Sequence, residues 1–212
     1  MLHLFDCDGV ILDSNNLKIK AIQETLNEIS YPESLRELAI QNFRQNFGRT
    51  RLRHFHVFFE MLSNYKSSPE SQTDIYEAVK IYGDKVKALY PSSDIIPETL
   101  NFIKKIEINN LFVVSASDQE ELRQVFSIKL PHIPIKNIFG GPESKSNNIK
   151  FILSKKNTNN AILYGDSLHD LEAANKCNIN FFGLLKFSAD PETLKNACIK
   201  NNYKYRNTLG AS

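Results

Sequence analysis

Short apolar runs separated by helical patterns occupy the two ends of this 212-residue chain. The first run, residues 1–5, stops at Asp6, which is the pattern of a buried strand that ends in a turn. The other runs predict strands over residues 111–114, 135–139, 161–164 and 180–184. Helices are predicted over residues 97–107, from about 118, and over 146–156, 168–175 and 191–199. Strands that alternate with helices in this way indicate a parallel sheet with helices on both faces.

The middle of the chain has a different pattern, with four successive apolar stripes at helical spacing and no convincing strand. The stripes are Ile22, Leu26 and Ile29; Leu35, Leu38 and Ala39; Leu52, Phe55, Phe59 and Leu62; and Ile75, Val79, Tyr82, Val86 and Leu89. Four amphipathic helices in a row indicate a helical module. Because the first strand is expected to join the sheet, this module is predicted to be an insertion at residues 15–90, and residues 1–14 and 91–212 are predicted to form the α/β core.

Composition and charge exclude several classes of partner. The sequence has 42% hydrophobic residues, 24% charged residues and a formal net charge of +2, which are ordinary values for a globular protein. This charge is too small to indicate nucleic acid or an anionic membrane as a partner. The three cysteines lack metal-ligand spacing and suit a reducing cytosol, and no apolar run reaches the roughly 20 residues of a membrane span. We therefore expect a cytoplasmic protein that binds neither nucleic acid nor membrane, with its oligomeric state left open.

Polar side chains follow three of the predicted strands. They are Asp6 and Asp8 after the first strand, Ser115 and Ser117 after the second, and Asp166 and Asp170 after the fourth. Because the carboxyl ends of parallel strands meet at one edge of a sheet, these side chains are expected to converge. Asp6 and Asp8 project to the same side of an extended segment, so they repel each other unless a cation lies between or beside them. An oxygen-rich site without a Cys or His cluster suits Mg²⁺.

Four segments resemble, in order, the four motifs of the haloacid dehalogenase superfamily. They are Phe5-Asp6-Cys7-Asp8-Gly9-Val10, Val113-Val114-Ser115, Gly141-Pro142-Glu143-Ser144-Lys145 and Gly165-Asp166-Ser167-Leu168-His169-Asp170. The helical insertion after the first motif matches the family's type I cap, as in phosphoglycolate phosphatase-like members. The resemblance extends over nearly the whole chain, and it implies a Rossmann-like parallel sheet core with an inserted α-helical cap domain.

The resemblance also assigns roles to residues. Asp6 is implied as the nucleophile that forms an aspartyl-phosphate, and Asp8 as the acid towards the leaving alcohol and then the base towards water. Ser115 and the backbone amide of Ala116 are implied to hold a phosphate oxygen. A lysine, Lys145, is implied to neutralise the charge of the transition state.

Magnesium ligands follow from the same resemblance. Mg²⁺ is implied to bind the carboxylates of Asp6 and Asp166 and the backbone carbonyl of Asp8. Asp170 is implied either as a ligand through water or as a partner of the ligands, and the sequence leaves both open.

The predicted function is a Mg²⁺-dependent phosphatase that hydrolyses a small phosphomonoester, such as a sugar phosphate, through an aspartyl-phosphate. Asp8 disfavours a dehalogenase, which needs no acid at that position. A phosphomutase of the β-phosphoglucomutase type carries the same aspartate pair and is the alternative. A binding or regulatory protein on the same scaffold is a third, less favoured reading, because the charged residues of all the motifs are present.

Three positions leave choices open. Lys145 follows a turn-prone stretch at the edge of the sheet, whereas Lys150, the rival for the third-motif lysine, lies about 7 Å further along the predicted helix. Within the helical module, Arg51 is the preferred residue for substrate binding and Lys18 the second candidate. His54 and His56 are interpreted as exposed or packing side chains and not as a metal pair, because residues two apart on a helix face different directions.

Overall fold

The computed structural model describes residues 1–65 and 74–210. Within these residues, the main sheet of the protein consists of parallel strands. In chain order the strands are β1 (Leu2–Phe5), β2 (Leu12–Asp13), β3 (Asp94–Ile95), β4 (Leu111–Asp118), β5 (Ile138–Gly141), β6 (Ala161–Gly165), β7 (Asn180–Leu184) and β8 (Lys204–Arg206). Six of them form the main sheet in the order β5-β4-β1-β6-β7-β8, and each neighbouring pair is parallel. The short strands β2 and β3 pair antiparallel beside it. The predicted α/β class is confirmed.

The helices described for residues 1–65 and 74–210 flank this sheet. They are α1 (Asn15–Glu28), α2 (Glu33–Gln45), α3 (Arg51–Ser63), α4 (Ile75–Leu89), α5 (Pro97–Ile103), α6 (Gln119–Lys129), α7 (Lys145–Lys156), α8 (Leu168–Lys176) and α9 (Pro191–Lys200). The first four follow one another between β2 and β3, where the helical insertion is predicted. The predicted ranges of insertion and core include residues 66–73 and 211–212, which lie outside the described residues.

Some boundaries differ from the sequence prediction. Strand β4 continues to Asp118, and the stretch 135–137 is a short 3₁₀ turn, so that β5 begins only at Ile138. Helix α5 ends at Ile103, four residues before the predicted end. The pair β2 and β3 was not predicted, because strands of two residues are too short to show an alternating pattern. Strand β8 was not predicted either, because this edge strand is short and mostly charged and so lacks the apolar run of a buried strand.

Two apolar layers lie on the two faces of the sheet. Successive side chains of β1 belong to different layers. Leu4 belongs to the apolar cluster that contains residues of α7, α8 and α9, whereas Phe5 belongs to the cluster that contains residues of α6 and of the inserted helices. Burial on both faces explains the continuous apolar runs of the sequence. On α2 the buried side chains include Ile40 and Phe43, whereas Leu38 is 50% exposed, so the predicted stripe was wrong for that residue. Among the described helices, none is long and apolar enough to cross a bilayer.

Strand β1 is the point where the strand order reverses. After β1 the chain adds β4 and β5 on one side, and it then crosses back to add β6, β7 and β8 on the other side of β1. Ligand sites of open parallel sheets lie in the crevice outside such a point, at the carboxyl ends of the strands. The four-helix insertion enters after β2, shortly after the end of β1, and leaves at β3, which pairs with β2.

Candidate active site

A buried ion pair lies at the carboxyl end of β1. The carboxylate of Asp6, which is 4% exposed, lies with its Oδ1 atom 2.9 Å from Nζ of Lys145. Lys145 is the first residue of α7, so the strand end and the helix start hold the two groups together. Burial raises the pKa of Asp6 to about 7, against the attraction of Lys145. Although burial opposes its charge, Lys145 has a pKa above the usual range because Asp170 and Asp6 surround it.

Three carboxylates meet around this lysine. Asp6, Asp166 and Asp170 each offer an oxygen, and these oxygens all lie within 4.8 Å of one another in buried positions. Burial and the charges of Asp170 and Asp6 raise the pKa of Asp166 well above its ordinary value. A compact set of carboxylate oxygens, with more negative charge than one lysine balances, fits a hard divalent cation such as Mg²⁺.

The oxygens of Asp170 already have protein partners. Its Oδ1 atom accepts a hydrogen bond from Lys145, and its Oδ2 atom accepts from the backbone N–H of Ser167 at 3.1 Å and from the Ser167 hydroxyl at 2.7 Å. The Ser167 hydroxyl also caps the N-terminus of α8. Because both of its oxygens are engaged, Asp170 is better suited to orient Lys145 than to bind a metal directly. Of the two roles that the sequence left open, this favours the role of a partner of the metal ligands.

The carboxylate of Asp8 lies in a separate network. Its Oδ1 atom accepts hydrogen bonds from the hydroxyls of Ser14 at 2.5 Å and Tyr90 at 2.8 Å. Its Oδ2 atom accepts from the Ser117 hydroxyl at 2.9 Å and from the ammonium of Lys18. Burial opposes the charge of Asp8, but Lys18 and the hydroxyl donors hold its pKa below the usual range. The side chain of Asp8 thus lies outside the three-carboxylate cluster. A contact between Asp8 and a metal stays a prediction for its backbone carbonyl only.

The loop after β1 requires a glycine at position 9. Gly9 has a φ of +73°, and a Cβ atom there would lie 2.1 Å from Oδ2 of Asp166. The same Asp166 oxygen accepts a hydrogen bond of 2.9 Å from the amide of Asn15, which also donates to the carbonyl of Phe187. Asn15 was not predicted as a site residue, because nothing in its sequence position indicates that α1 begins beside β6.

Ser115 and Ala116 form the wall of the site next to these carboxylates. Ser115 is 1% exposed, and both residues line a cavity of about 40 Å³ together with Asp6 and Asp8. This volume holds roughly three water molecules. The side of the cavity formed by the insertion consists of Asn15, Lys18, Phe43, Phe47, Gly48, Arg49, Arg51, His54, Tyr82 and Val86. The structure therefore brings the predicted residues of the core together beneath the four inserted helices.

Arg51 lies at the cavity wall but is engaged elsewhere. Its two terminal nitrogens donate to the two carboxylate oxygens of Glu121 on α6, at 2.9 and 2.5 Å. Its guanidinium lies 5.7 Å from the ring centroid of Tyr82, and a Cβ atom on the neighbouring Gly83 would lie 2.5 Å from an Arg51 nitrogen. Contact between Arg51 and substrate stays a prediction. Lys18, the second candidate, lies closer to the predicted chemistry because it contacts Asp8.

The other lysine considered for the third motif lies away from the site. Lys150 is exposed on α7 and lines a surface groove together with Lys176 of α8, and it does not belong to the residues that line the cavity. Lys145 is 7% exposed and contacts Asp6. The geometry favours Lys145 for the charge-neutralising role.

Comparisons with known proteins identify the family of the sequence and agree with the fold. The sequence model of the haloacid dehalogenase-like hydrolase family matches residues 3–184. A haloacid dehalogenase-like family protein from Streptococcus pneumoniae has 20% sequence identity and a TM-score of 0.68, over 96% of this chain and 91% of that chain. A predicted phosphoglycolate phosphatase from Haemophilus somnus has 16% identity and a TM-score of 0.69, over 86% and 84% of the two chains. CbbY from Rhodobacter sphaeroides, in complex with phosphate, has 16% identity and a TM-score of 0.66, over 86% and 85%. No curated protein matches the sequence.

Proposed function

The chain belongs to the haloacid dehalogenase-like hydrolases, and on this basis we propose that it is a Mg²⁺-dependent phosphatase acting on a small phosphomonoester. The observation that carries the proposal is the pairing of Asp6 with Lys145 inside a carboxylate cluster, at the strand-order reversal of a parallel sheet. Structural neighbours that are described as phosphoglycolate phosphatase or hold phosphate support the same class of substrate.

The first chemical step uses Asp6 as the nucleophile. A carboxylate oxygen of Asp6 attacks phosphorus, the bond from phosphorus to the ester oxygen breaks, and an aspartyl-phosphate forms. Lys145 neutralises charge on the phosphoryl oxygens, while the Ser115 hydroxyl and the Ala116 amide donate hydrogen bonds to them. Mg²⁺, held by Asp6, Asp166 and the carbonyl of Asp8, would screen the repulsion between nucleophile and phosphate.

The second step returns the enzyme to its starting form. Asp8, having given a proton to the leaving alcohol, takes a proton from a water molecule that attacks the aspartyl-phosphate. The bond between phosphorus and the Asp6 oxygen then breaks, and inorganic phosphate leaves. The hydroxyls and the ammonium group around Asp8 stabilise the carboxylate form, which is the form that accepts the proton in this step.

Phosphate release from an aryl phosphate tests the proposed function. We expect release with Mg²⁺ and at least about a hundredfold less after the metal is removed by a chelator, because the carboxylate cluster then repels the phosphate. A panel of phosphorylated sugars, nucleotides and glycolate extends the assay to natural substrates. If none of these compounds releases phosphate in the presence of Mg²⁺, the proposal is wrong and a binding role is favoured. If phosphate only moves between positions of a sugar, the protein is a phosphomutase.

Replacement of Asp8 by Asn separates its chemical role from its structural role. An amide cannot give or take the proton, so Asp8→Asn should slow hydrolysis of an alkyl phosphate, whose leaving group is poor, at least about tenfold more than hydrolysis of an aryl phosphate. The measurement is kcat on both substrates for the variant and for the wild type. Equal losses on the two substrates would mean that Asp8 serves geometry alone.

A further inference from the structure

The imidazole of His54 lines the cavity and makes no hydrogen bond to any residue that the structure describes. His54 on α3 is 4% exposed and lines the same cavity as Asp6 and Asp8. Its ring is held on its apolar sides, with the ring centroid of Phe43 at 4.5 Å and that of Phe58 at 6.3 Å. Packing of this kind fixes the position of the imidazole and leaves its polar edge as the part available to the cavity. The interpretation of His54 as merely exposed or packing was therefore incomplete.

The hydrogen-bonding capacity of His54 is unused within the described residues, 1–65 and 74–210. Three of the other polar side chains that the insertion contributes to the cavity have protein partners: Lys18 contacts Asp8, Arg51 pairs with Glu121, and the side-chain NH₂ of Asn15 donates to Asp166. Arg49 donates through Nε to the ring of His169. An imidazole that lines a candidate substrate pocket and makes no hydrogen bond to the described protein residues is available to a hydrogen-bonding group of the ligand.

The chemistry of this imidazole selects the partner. Burial, together with the nearby positive charges of Lys18 and Arg49, lowers the pKa of His54 to about 3. The ring is consequently neutral at physiological pH, with one N–H donor and one acceptor nitrogen. A hydroxyl group offers the complementary pair, since it both donates and accepts. An anionic group would find stronger partners in Lys18 and Arg49 than in a neutral ring.

We propose that His54 binds a hydroxyl group of the leaving alcohol, so that the enzyme selects phosphate esters of small polyhydroxylated alcohols over esters of plain alcohols. This inference rests on the proposed phosphatase function and narrows its substrate class. The position of His54 supports it, because the ring belongs to the insertion and lines the same cavity as Ser115 and Ala116 of the core, which are proposed to hold the phosphate.

Two substrates of equal length test the proposal. Glycerol 3-phosphate and propyl phosphate carry the same carbon chain and differ only in two hydroxyl groups. We expect wild-type kcat/KM to favour glycerol 3-phosphate by about tenfold or more, since a site built around a hydrogen bond rejects an analogue that lacks it. In His54→Phe, which keeps an aromatic ring against Phe43 and Phe58, the ratio of the two kcat/KM values should fall to about one.

Two further variants control the experiment. His54→Gln keeps one donor and one acceptor and should restore part of the preference, whereas His56→Phe places the same substitution at an exposed position of the same helix and should leave the ratio at the wild-type value. Thermal unfolding of each variant checks the fold. A wild-type preference that survives in His54→Phe, or a wild-type enzyme that cleaves both esters equally, overturns the His54 proposal alone. Absence of phosphate release from every phosphomonoester, the aryl ester included, overturns the phosphatase proposal itself.

Discussion

Replacement of Asp6 by Asn is expected to lower phosphate release by at least about ten-thousandfold. An amide cannot form the acyl-phosphate bond, so the covalent route is lost while the shape of the side chain is kept. The measurement is kcat for an aryl phosphate in the presence of Mg²⁺, together with a search for phosphorylated protein in acid-quenched samples. Wild type should yield the phosphorylated form and Asp6→Asn should not. Retention of more than a few per cent of the wild-type rate would remove Asp6 as the nucleophile.

The stability of the same variant provides its control. In the folded protein the pKa of Asp6 is raised to about 7 from an ordinary value of 3.8, so folding disfavours the ionised form and stability falls as pH rises between these values. Asn cannot ionise and avoids this loss. In metal-free protein at pH 8 we therefore expect Asp6→Asn to have a Tm equal to or above that of the wild type. An inactive variant with this property has lost chemistry and not structure.

Lys145→Ala should reduce kcat by at least about a hundredfold, whereas Lys150→Ala should reduce it by less than about fivefold. Both lysines lie on α7, but the Lys145 ammonium is buried between Asp6 and Asp170 and the Lys150 side chain is exposed. The measurement is kcat with saturating Mg²⁺ and aryl phosphate for both variants. The reverse ranking would show that Lys150 reaches the phosphate when substrate is bound.

Loss of Lys145 also leaves two buried carboxylates without their counter-charge, so Lys145→Ala is expected to unfold at a lower temperature than Lys150→Ala. A Lys145→Arg variant separates the two effects. Its positive charge should recover Tm further than it recovers kcat, because the wider guanidinium does not reproduce the position of a compact ammonium. Recovery of both to the wild-type values would mean that charge alone, and not position, matters at residue 145.

The residues at the strand ends were predictable because topology alone brings them together. A parallel sheet places the carboxyl ends of β1, β4 and β6 at one edge whatever covers its faces, so Asp6, Ser115 and Asp166 were expected to converge. Their type then indicated oxygen-based metal chemistry. The family prediction was confirmed over residues 3–184, whereas the individual roles of these residues are proposals that the variants above test.

The contacts made by the insertion were not predictable in the same way. Asn15, Tyr90 and His54 reach the site because α1, α3 and the end of α4 pack over the sheet edge, and no spacing in the sequence records that approach. On α2 two apolar stripes overlap, and only tertiary packing decides that Phe43 is buried and Leu38 is exposed. Periodicity identifies a helix more reliably than it identifies the buried face.

The pairing of Arg51 with Glu121 joins the inserted helix α3 to helix α6 of the core at the wall of the cavity. The cavity of about 40 Å³ is smaller than most phosphate esters, so under the proposed function we expect the inserted helices to move outward when substrate enters and when the products leave. This movement would separate the guanidinium of Arg51 on α3 from the carboxylate of Glu121 on α6. A charge pair loses its mutual attraction on separation but regains hydration, and these two terms are of similar size. An apolar interface of the same area would oppose this opening at every turnover. The ion pair would oppose it less, and its directional hydrogen bonds would still fix one closed position of the inserted helices.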